Sequence, residues 1–262
     1  MSQHNEDQRD PHDIAVDTEE QPFLEHLIEL RSRILRSVAA VGIIFIPIYY
    51  YANDLYEWVS APLVARLPEG SSMIATQVAT PFLTPFKLAI FAAIFVGVPY
   101  LLHQIWAFVS PGLYRHEKKF AIPLLLSSIV LFYAGMAFVF FLVFPLVFAF
   151  FTSVAPEGVA IMTDINAYLD FVLKMFLAFG IAFEIPIATM LLAWSGLATA
   201  DSMARKRPYV IVGCFIVGML LTPPDVVSQL LLALPTWLLF EVGVLMARFT
   251  EKKDDVEQET SS

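Results

Sequence analysis

The sequence has a single cysteine and few charged residues. One cysteine, Cys214, excludes an internal disulfide and a cluster of cysteine metal ligands, and we expect it to be a small apolar residue inside a helix. Only 16% of the 262 residues are charged, against about a quarter in soluble domains. Because 58% are apolar, including 23 phenylalanines, a soluble globule of this length could not bury them all. Soluble enzyme classes are therefore excluded, and the excess apolar surface is expected to face lipid.

Signatures of catalysis, of metal binding and of nucleotide binding are also missing. The five histidines are scattered and form no HExxH pair. The sequence has no serine-centred elbow, glycine-rich phosphate loop or dinucleotide fingerprint. Its basic residues do not form the broad basic face of a nucleic-acid binder. We therefore expect a protein that is not an enzyme, uses no metal or cofactor and binds no nucleic acid.

Acidic residues are concentrated at the two ends of the chain. Nine of the 25 acids lie within residues 1–29 and five within residues 251–262, which leaves the middle mildly basic. We expect residues 1–22 and 251–262 to be disordered cytosolic tails around a membrane core of residues 23–250. Residues 1–22 lack the basic start and apolar core of a cleavable secretory signal. Insertion is therefore expected to depend on the transmembrane segments themselves.

Six apolar runs predict membrane helices. They cover residues 34–52, 88–109, 120–151, 168–194, 208–221 and 226–247. The third run is long enough that its helix must tilt, bend near Pro145 or extend beyond the bilayer. The fifth would reach only about 21 Å as a helix. Residues 53–86 are interpreted as a mixed loop. The sequence thus predicts an all-α polytopic membrane protein with six transmembrane helices, of which the fifth and sixth are short.

The distribution of basic residues predicts the orientation in the membrane. If both termini are cytosolic, 13 of the 16 lysines and arginines lie on the cytosolic side. The other three are Arg66 in the first outer loop and Lys87 and Lys174 at outer helix ends. The opposite orientation would reverse this bias, so both termini are expected in the cytosol.

Glu184 is an acid deep inside an apolar run. It follows Lys174 by ten residues, or about 15 Å along a helix, which places it near the midplane of the membrane. An intramembrane carboxylate is a candidate functional group that faces protein or water. The alternative is a protonated structural residue held by hydrogen bonds.

Two cytosolic acids and the outer tip of the last hairpin also admit two interpretations. Glu117 lies in a basic loop, and Glu29 lies four residues before Arg33, so both acids fit ordinary exposed ion pairs. At the tip, Asp225 is well placed to cap the sixth helix. Thr222, Asp225 and Gln229 could instead contact a helix of another membrane protein, because polar groups in lipid need partners.

Six motifs in order resemble one protein family. They are FLEHLIELR (23–31), SAPL (60–63), FVSPGLYRHE (108–117), FEIP (183–186), KRPY (206–209) and LTPPD (221–225). Together they resemble TatC, the multispanning core subunit of the twin-arginine protein translocase. The resemblance covers roughly residues 20–250, which is all of the chain except its tails.

The resemblance implies a function, partners and site residues. It implies a concave helical bundle in the bacterial inner membrane that binds twin-arginine signal peptides and exports folded proteins with the proton-motive force. TatA- and TatB-type single-span subunits, further copies of the chain and membrane lipid would be its partners. The site residues it implies fall into four groups: Glu29, Glu117, Arg31 and Phe108 for the signal peptide, Pro62 in the outer loop, Glu184 in a concave cavity, and Met219, Thr222 and Gln229 for partner helices.

Two other classes of function compete with this interpretation. A secondary transporter could use Glu184 as its proton site, although the sequence shows no internal repeat and no paired broken helices. An intramembrane hydrolase would need a nucleophile and base that the sequence does not offer. Whether Glu29 and Glu117 converge in space is not visible from the sequence.

Overall fold

The computed structural model describes residues 11–65, 73–113, 121–154, 162–222 and 225–261, which are almost entirely helical. The helices are α1 (Pro11–Tyr50), α2 (Ala52–Val64), α3 (Thr80–Leu113), α4 (Ala121–Phe138), α5 (Phe144–Ser153), α6 (Ile165–Ala182), α7 (Ile185–Trp194), α8 (Ala200–Arg205), α9 (Arg207–Leu221) and α10 (Val226–Ser261), with a π-helical turn at Val139–Val143. Within these ranges β pairing is limited to one bridge between Ile74 and Asp164. The predicted all-α class is confirmed.

Each predicted membrane run corresponds to an apolar helical segment. Five segments are long enough to span a membrane: His26–Tyr50, Thr80–Phe108, Ile122–Ser153, Ile165–Trp194 and Val226–Phe249. The sixth, α9, is apolar and has only 15 residues, as predicted. The last span has 24 residues and is the shortest of the five long ones. It continues past Glu241, whose charge is paired with Arg207 of α9 and does not interrupt the helix.

Helical structure extends further than the six apolar runs. Helix α1 begins at Pro11 and α10 ends at Ser261, so both enter the segments predicted as tails. The division into a core and two disordered tails stays a prediction. Residues 53–86 are not a loop throughout, because they contain most of α2. Ala52, Val59 and Leu63 recur on one face of this helix and are buried.

Two of the long spans contain a local change of helix type next to a proline. In the third span, the π turn at Val139–Val143 ends two residues before Pro145. A proline has no N–H, and its ring clashes with the carbonyl four residues earlier. A π turn at this place removes the clash and accommodates the missing hydrogen bond. The expected irregularity near Pro145 therefore takes this form.

In the fourth span the helix is interrupted. A turn at Phe183–Glu184 separates α6 from α7, and Pro186 occupies the first turn of α7. Because Pro186 cannot donate to the carbonyl four residues earlier, the two helices meet at a break. The predicted fourth span is therefore present as Ile165–Trp194, with a break at Phe183–Glu184 that the sequence analysis did not predict.

The main core is formed by phenylalanines, valines and leucines, most of them from the helices between α3 and α6. Phe144 and Phe179 are fully buried, and Phe144 and Phe176 meet edge to face with ring centroids 5.3 Å apart. Two glycines allow α4 and α6 to approach closely. A β-carbon on Gly135 would lie 2.5 Å from the Phe179 carbonyl oxygen, and one on Gly180 would lie 2.6 Å from the Phe132 ring. Close backbone approach at small residues is how membrane helices gain packing energy without a hydrophobic drive between them.

The remaining helices pack around this core in pairs. Helix α1 packs extensively along α3, and α10 packs against α7 and α9. The most apolar window of α1 has no buried residue, so its other faces are open. This arrangement brings the N-terminal part of α1 beside the C-terminal part of α3.

Candidate functional site

At that end of the pair, Glu29 of α1 is held by an arginine of the same helix. Arg33 Nε donates to Glu29 Oε1 at 2.9 Å, and Arg33 Nη2 donates to the same oxygen. The four-residue spacing places both side chains on one face of α1. The ion pair predicted from the spacing is therefore present. The Glu29 side chain remains 37% exposed, so the pair is open to a ligand.

Arg33 also connects α1 to α3. Its Nη1 donates to Gln104 Oε1 at 3.4 Å, and its Nη2 donates to the Ala107 carbonyl oxygen at 3.1 Å. Gln104 is buried, so its amide is a fixed part of the contact. The sequence prediction named neither Arg33 nor Gln104 as a site residue. The two residues are 71 positions apart, and only the local pairing of Arg33 with Glu29 could be predicted from spacing.

Phe108 lies next to this ion pair, stacked on a histidine of α1. The rings of His26 and Phe108 are 4.1 Å apart between centroids and inclined by 20°. Because His26 precedes Glu29 by one helical turn, the stack and the ion pair form a continuous surface. We call His26, Glu29, Arg33, Gln104 and Phe108 the α1–α3 cluster.

The other two predicted signal-binding residues do not join this contact. Arg31 is exposed, and a residue two positions from Glu29 does not share its helix face. Glu117 lies outside the residues that the structure describes, between the end of α3 and the start of α4. The convergence of Glu29 and Glu117 therefore stays a prediction.

Glu184 lies at the break between α6 and α7 and lines a cavity of about 360 Å³. The cavity wall is otherwise almost entirely apolar, with Ser128 as a second polar side chain and Trp106 beside it. Trp106 Nε1 donates to the Ser128 hydroxyl at 3.2 Å. Glu184 Oε1 is buried and has no hydrogen-bond partner among the described residues. The sequence located this acid, but not the break that holds it.

The α9–α10 hairpin uses its polar residues internally. The Thr222 hydroxyl donates to the Gly218 carbonyl at 2.9 Å, and Gln229 Nε2 donates to the Phe215 carbonyl at 2.9 Å. Asp225 Oδ1 accepts from the Ser228 N–H at 2.7 Å, so the predicted helix cap is confirmed. Met219 is 59% exposed. Of the three predicted partner contacts, only Met219 presents most of its side chain outward.

Pro62 lies in the last turn of α2, on the outer side of the bundle if the termini are cytosolic. Helix α2 is tied to the core by Tyr168, whose hydroxyl donates to the Val59 carbonyl at 2.8 Å. Tyr56 adds a hydrogen bond to the sulfur of Met73 at 3.3 Å. Burial is the main cause that raises the pKa of Tyr56, with the negative charge of Asp164 second. Pro62 therefore belongs to a helix with fixed contacts.

A second group of contacts, at the same end of the molecule as α2, joins the start of α6 to α3 and to the segment before it. Asp164 accepts from the N–H and the hydroxyl of Thr76, at 3.0 and 2.6 Å, and from the N–H groups of Asn166 and Ala167. These hydrogen bonds, led by the Thr76 hydroxyl, lower the pKa of Asp164 to about 2. Lys87 donates to Asp170 at 2.6 Å. Neither of these long-range pairings could be predicted from the sequence.

Arg207 and Glu241 form a two-pronged ion pair that sequence reasoning also missed. Arg207 Nε and Nη2 each donate to a separate Glu241 oxygen at 2.7 Å. This pair holds the start of α9 against α10. Within the described residues, no group of three or more His, Cys, Asp or Glu could hold a metal ion.

Comparisons with known proteins point to one family. The family model described as Sec-independent protein translocase protein (TatC) matches residues 25–235. The chain is 58% identical over 237 residues to Sec-independent protein translocase protein TatC of Haemophilus influenzae, covering 90% of this chain and 93% of that protein. The protein of the same name from Escherichia coli K12 is 52% identical over 229 residues, covering 87% and 89%. A crystal structure described as the twin arginine translocase receptor TatC superposes with a TM-score of 0.79 at 35% identity, covering 86% of this chain and 98% of that one.

Proposed function

Because the chain belongs to the TatC family of Sec-independent protein translocase proteins, we propose that it binds signal peptides carrying paired arginines at its cytosolic face. It is a multi-pass inner-membrane component of a protein translocase, a transport protein and not an enzyme. The observation that carries the proposal is the partly exposed Glu29 carboxylate in the α1–α3 cluster. This acid already binds one guanidinium, that of Arg33, and therefore has the geometry to bind another.

The chemistry of the cluster suits arginine better than lysine. A guanidinium can donate two parallel hydrogen bonds to a carboxylate, whereas an ammonium acts as a point charge. Phe108 and His26 supply a flat aromatic surface beside the acid, on which a second guanidinium can stack. Glu117 would be the second acceptor, and Arg31 would lie beside the signal-binding surface. The bases around Glu117, which are Arg115, Lys118 and Lys119, would repel basic peptides that the acids do not bind.

The proposed orientation places the α1–α3 cluster in the cytosol. Arg31, Arg33 and Arg36 lie at this end of α1, and the basic loop around Glu117 follows α3. Positive residues favour the cytosolic side of a membrane. With this orientation the α2 segment and the Asp164 contacts lie on the outer face.

TatA- and TatB-type single-span subunits are the proposed partners, together with further copies of the chain. Transport of folded proteins would use the proton-motive force, with no cofactor. Met219 lies on an exposed apolar stripe of α9 that suits a partner helix, while Thr222 and Gln229 fix the hairpin behind it. Glu184 offers a buried carboxylate oxygen that accepts no hydrogen bond within the described part of the chain, and a polar group of a partner helix would satisfy it. Pro62, on the outer side, would help to keep the translocase complex intact.

Peptide binding to the full-length chain in lipid nanodiscs tests this proposal. A labelled twin-arginine signal peptide should bind more tightly than its twin-lysine variant. Glu117→Gln and Glu29→Gln should each weaken twin-arginine binding by about tenfold, because each removes a charged hydrogen-bond acceptor. Binding of the twin-lysine peptide should change less. Thermal unfolding of each variant provides the control for folding.

Crosslinking supplies an independent test of the same site. A photoreactive residue at position 117 should crosslink to the arginine region of a twin-arginine precursor. If Glu117→Gln weakens binding of both peptides equally, Glu117 does not recognise the signal arginines. The residue would then support the structure of its loop.

A further inference from the structure

The carboxylate proposed to bind a signal arginine is already occupied by an arginine of the chain itself. Two nitrogen atoms of Arg33 donate to Glu29 Oε1. The Arg33 side chain is 20% exposed and that of Glu29 is 37% exposed, so an incoming peptide meets a formed pair at the surface. Any guanidinium that approaches Glu29 also meets the positive charge of Arg33.

We propose that Arg33 is an internal competitor that holds Glu29 in the free protein and is displaced by a signal arginine. The proposal rests on the proposed function, because it assumes that Glu29 accepts a signal arginine. In the free state Arg33 lowers the affinity of the site. In the bound state the ligand guanidinium takes its place on Glu29.

The structure provides acceptors for Arg33 after displacement. Gln104 Oε1 and the Ala107 carbonyl oxygen already accept from Arg33 at 3.4 and 3.1 Å. Both belong to α3, and the Gln104 amide is buried and fixed. Arg33 therefore keeps hydrogen bonds to α3 when it leaves Glu29, and its charge is not left without acceptors.

This exchange raises the binding energy that any ligand of the site has to supply. A ligand must replace two donors from one guanidinium on the same carboxylate oxygen, which another guanidinium can do. A lysine ammonium lacks the planar fork and competes less well for this oxygen. An internal arginine thus sets a threshold that weakly bound basic peptides do not pass.

The decisive variant is Arg33→Gln in the full-length chain in nanodiscs at physiological salt. Exposed ion pairs contribute little energy, so the twin-arginine peptide should bind about threefold to fivefold more tightly. The twin-lysine peptide should gain by a similar factor, because both peptides have to displace the same internal guanidinium, so both affinities rise while the preference for arginine remains. Arg36→Gln is the matched control, because Arg36 is exposed on the same helix. Arg36 lies seven residues from Glu29, or about 10 Å along the helix axis, where its charge is largely screened from that carboxylate, so Arg36→Gln should change binding less.

Three further variants should change the affinity for the peptide in different directions if the proposal is right. In a Glu29→Gln background, Arg33→Gln should bring no gain, because the competition requires the carboxylate. Gln104→Met should weaken binding, because a displaced Arg33 then loses one acceptor on α3. Arg33→Lys, which keeps the charge without the fork, should show a smaller gain than Arg33→Gln, and it serves if Arg33→Gln fails to fold.

The outcomes separate this proposal from the proposed function. If the wild-type chain does not prefer the twin-arginine peptide, the proposed function is wrong. If the wild type shows that preference but Arg33→Gln binds equally or more weakly, only the competitor role is wrong, and Arg33 instead positions Glu29. A gain of the same size in Arg36→Gln would also overturn it, since general charge repulsion would then be the cause.

Discussion

Asp164 has two roles at the start of α6. Its Oδ1 accepts from the Asn166 and Ala167 N–H groups and caps the helix, while its Oδ2 accepts from Thr76 and holds the segment before α3. These hydrogen bonds favour the ionised form and lower its pKa to about 2 from an ordinary value of 3.8. The stabilisation is therefore complete above pH 3.8 and is lost as the pH falls toward 2.

We predict that the contact between Thr76 and Asp164 opens in this pH window. Hydrogen exchange of the amides of residues 73–79, corrected for intrinsic rates, should accelerate as the pH falls. Asp164→Asn should exchange faster at neutral pH and lose the pH dependence, because an amide cannot ionise. Asp54→Asn, which changes an exposed aspartate of α2, should behave as wild type. An unchanged pH response in Asp164→Asn would assign the effect to another group.

Residues whose partners lie within one helical turn could be predicted from the sequence. The Glu29–Arg33 pair and the Asp225 cap follow from spacings of four and three residues. The pairs Arg33–Gln104 and Arg207–Glu241 join residues 71 and 34 positions apart, and nothing local to either residue indicates its partner. This is why the sequence analysis named Glu29 and Phe108 of the α1–α3 cluster but not Gln104.

The close approach of α4 and α6 depends on Gly135 and Gly180. A β-carbon at Gly135 would meet a backbone oxygen, that of Phe179, at 2.5 Å, and backbone cannot rotate away as a side chain can. We predict that Gly135→Ala lowers the free energy of unfolding by about 1–3 kcal/mol, the range for overpacked sites. Thermal unfolding in detergent, followed by size-exclusion chromatography, measures this loss.

Gly42→Ala is the matched control for this substitution. A β-carbon at Gly42 has no heavy atom within 4 Å, and the residue also lies within a membrane helix. Alanine should therefore be neutral or slightly stabilising there, given its higher helix propensity. Equal destabilisation at both positions would show that close packing of α4 and α6 is not the cause.

At the level of elements, apolar run length predicted the six spans but not the breaks inside them. A membrane span needs a minimum length of apolar sequence, because the hydrocarbon core has a fixed thickness, and this length can be read from composition. The break at Phe183–Glu184 and the π turn before Pro145 depend on how a proline is accommodated, and each takes a different form. Helix α2 could have been found, because Ala52, Val59 and Leu63 follow helical spacing on one side. Its polar residues and Pro62 led to its interpretation as a loop.

For the whole molecule, the exposed stripe of α9 is the surface we assign to a partner helix. Tyr209, Val212, Ile216 and Met219 recur every three to four residues and are each at least half exposed. After replacement of Cys214 by alanine, cysteines at Val212, Ile216 and Met219 should form disulfides with a cysteine in the helix of a TatB-type subunit. The hairpin interior is already occupied, so a cysteine at Gln229 should crosslink less.

Helix α4 supplies the control for these crosslinks. Leu126 and Val130 are 58% and 66% exposed and also lie in an apolar membrane span. Cysteines there should crosslink weakly if the partner selects α9. Equal crosslinking from both helices would indicate random collision in the membrane and would contradict the assignment.

The extensive packing of α1 on α3 has a consequence for the order of biosynthesis. Helix α1 ends at Tyr50, and its contacts to Gln104 and Ala107 require residues made more than 50 positions later. At translation rates of about 5–20 residues per second, the nascent α1 waits several seconds for them. During this interval it has to remain in lipid without α3, with the lowest hydropathy of the five long spans. Glu29 and Arg33 are thus synthesised several seconds before the two α3 residues that hold Arg33 in place.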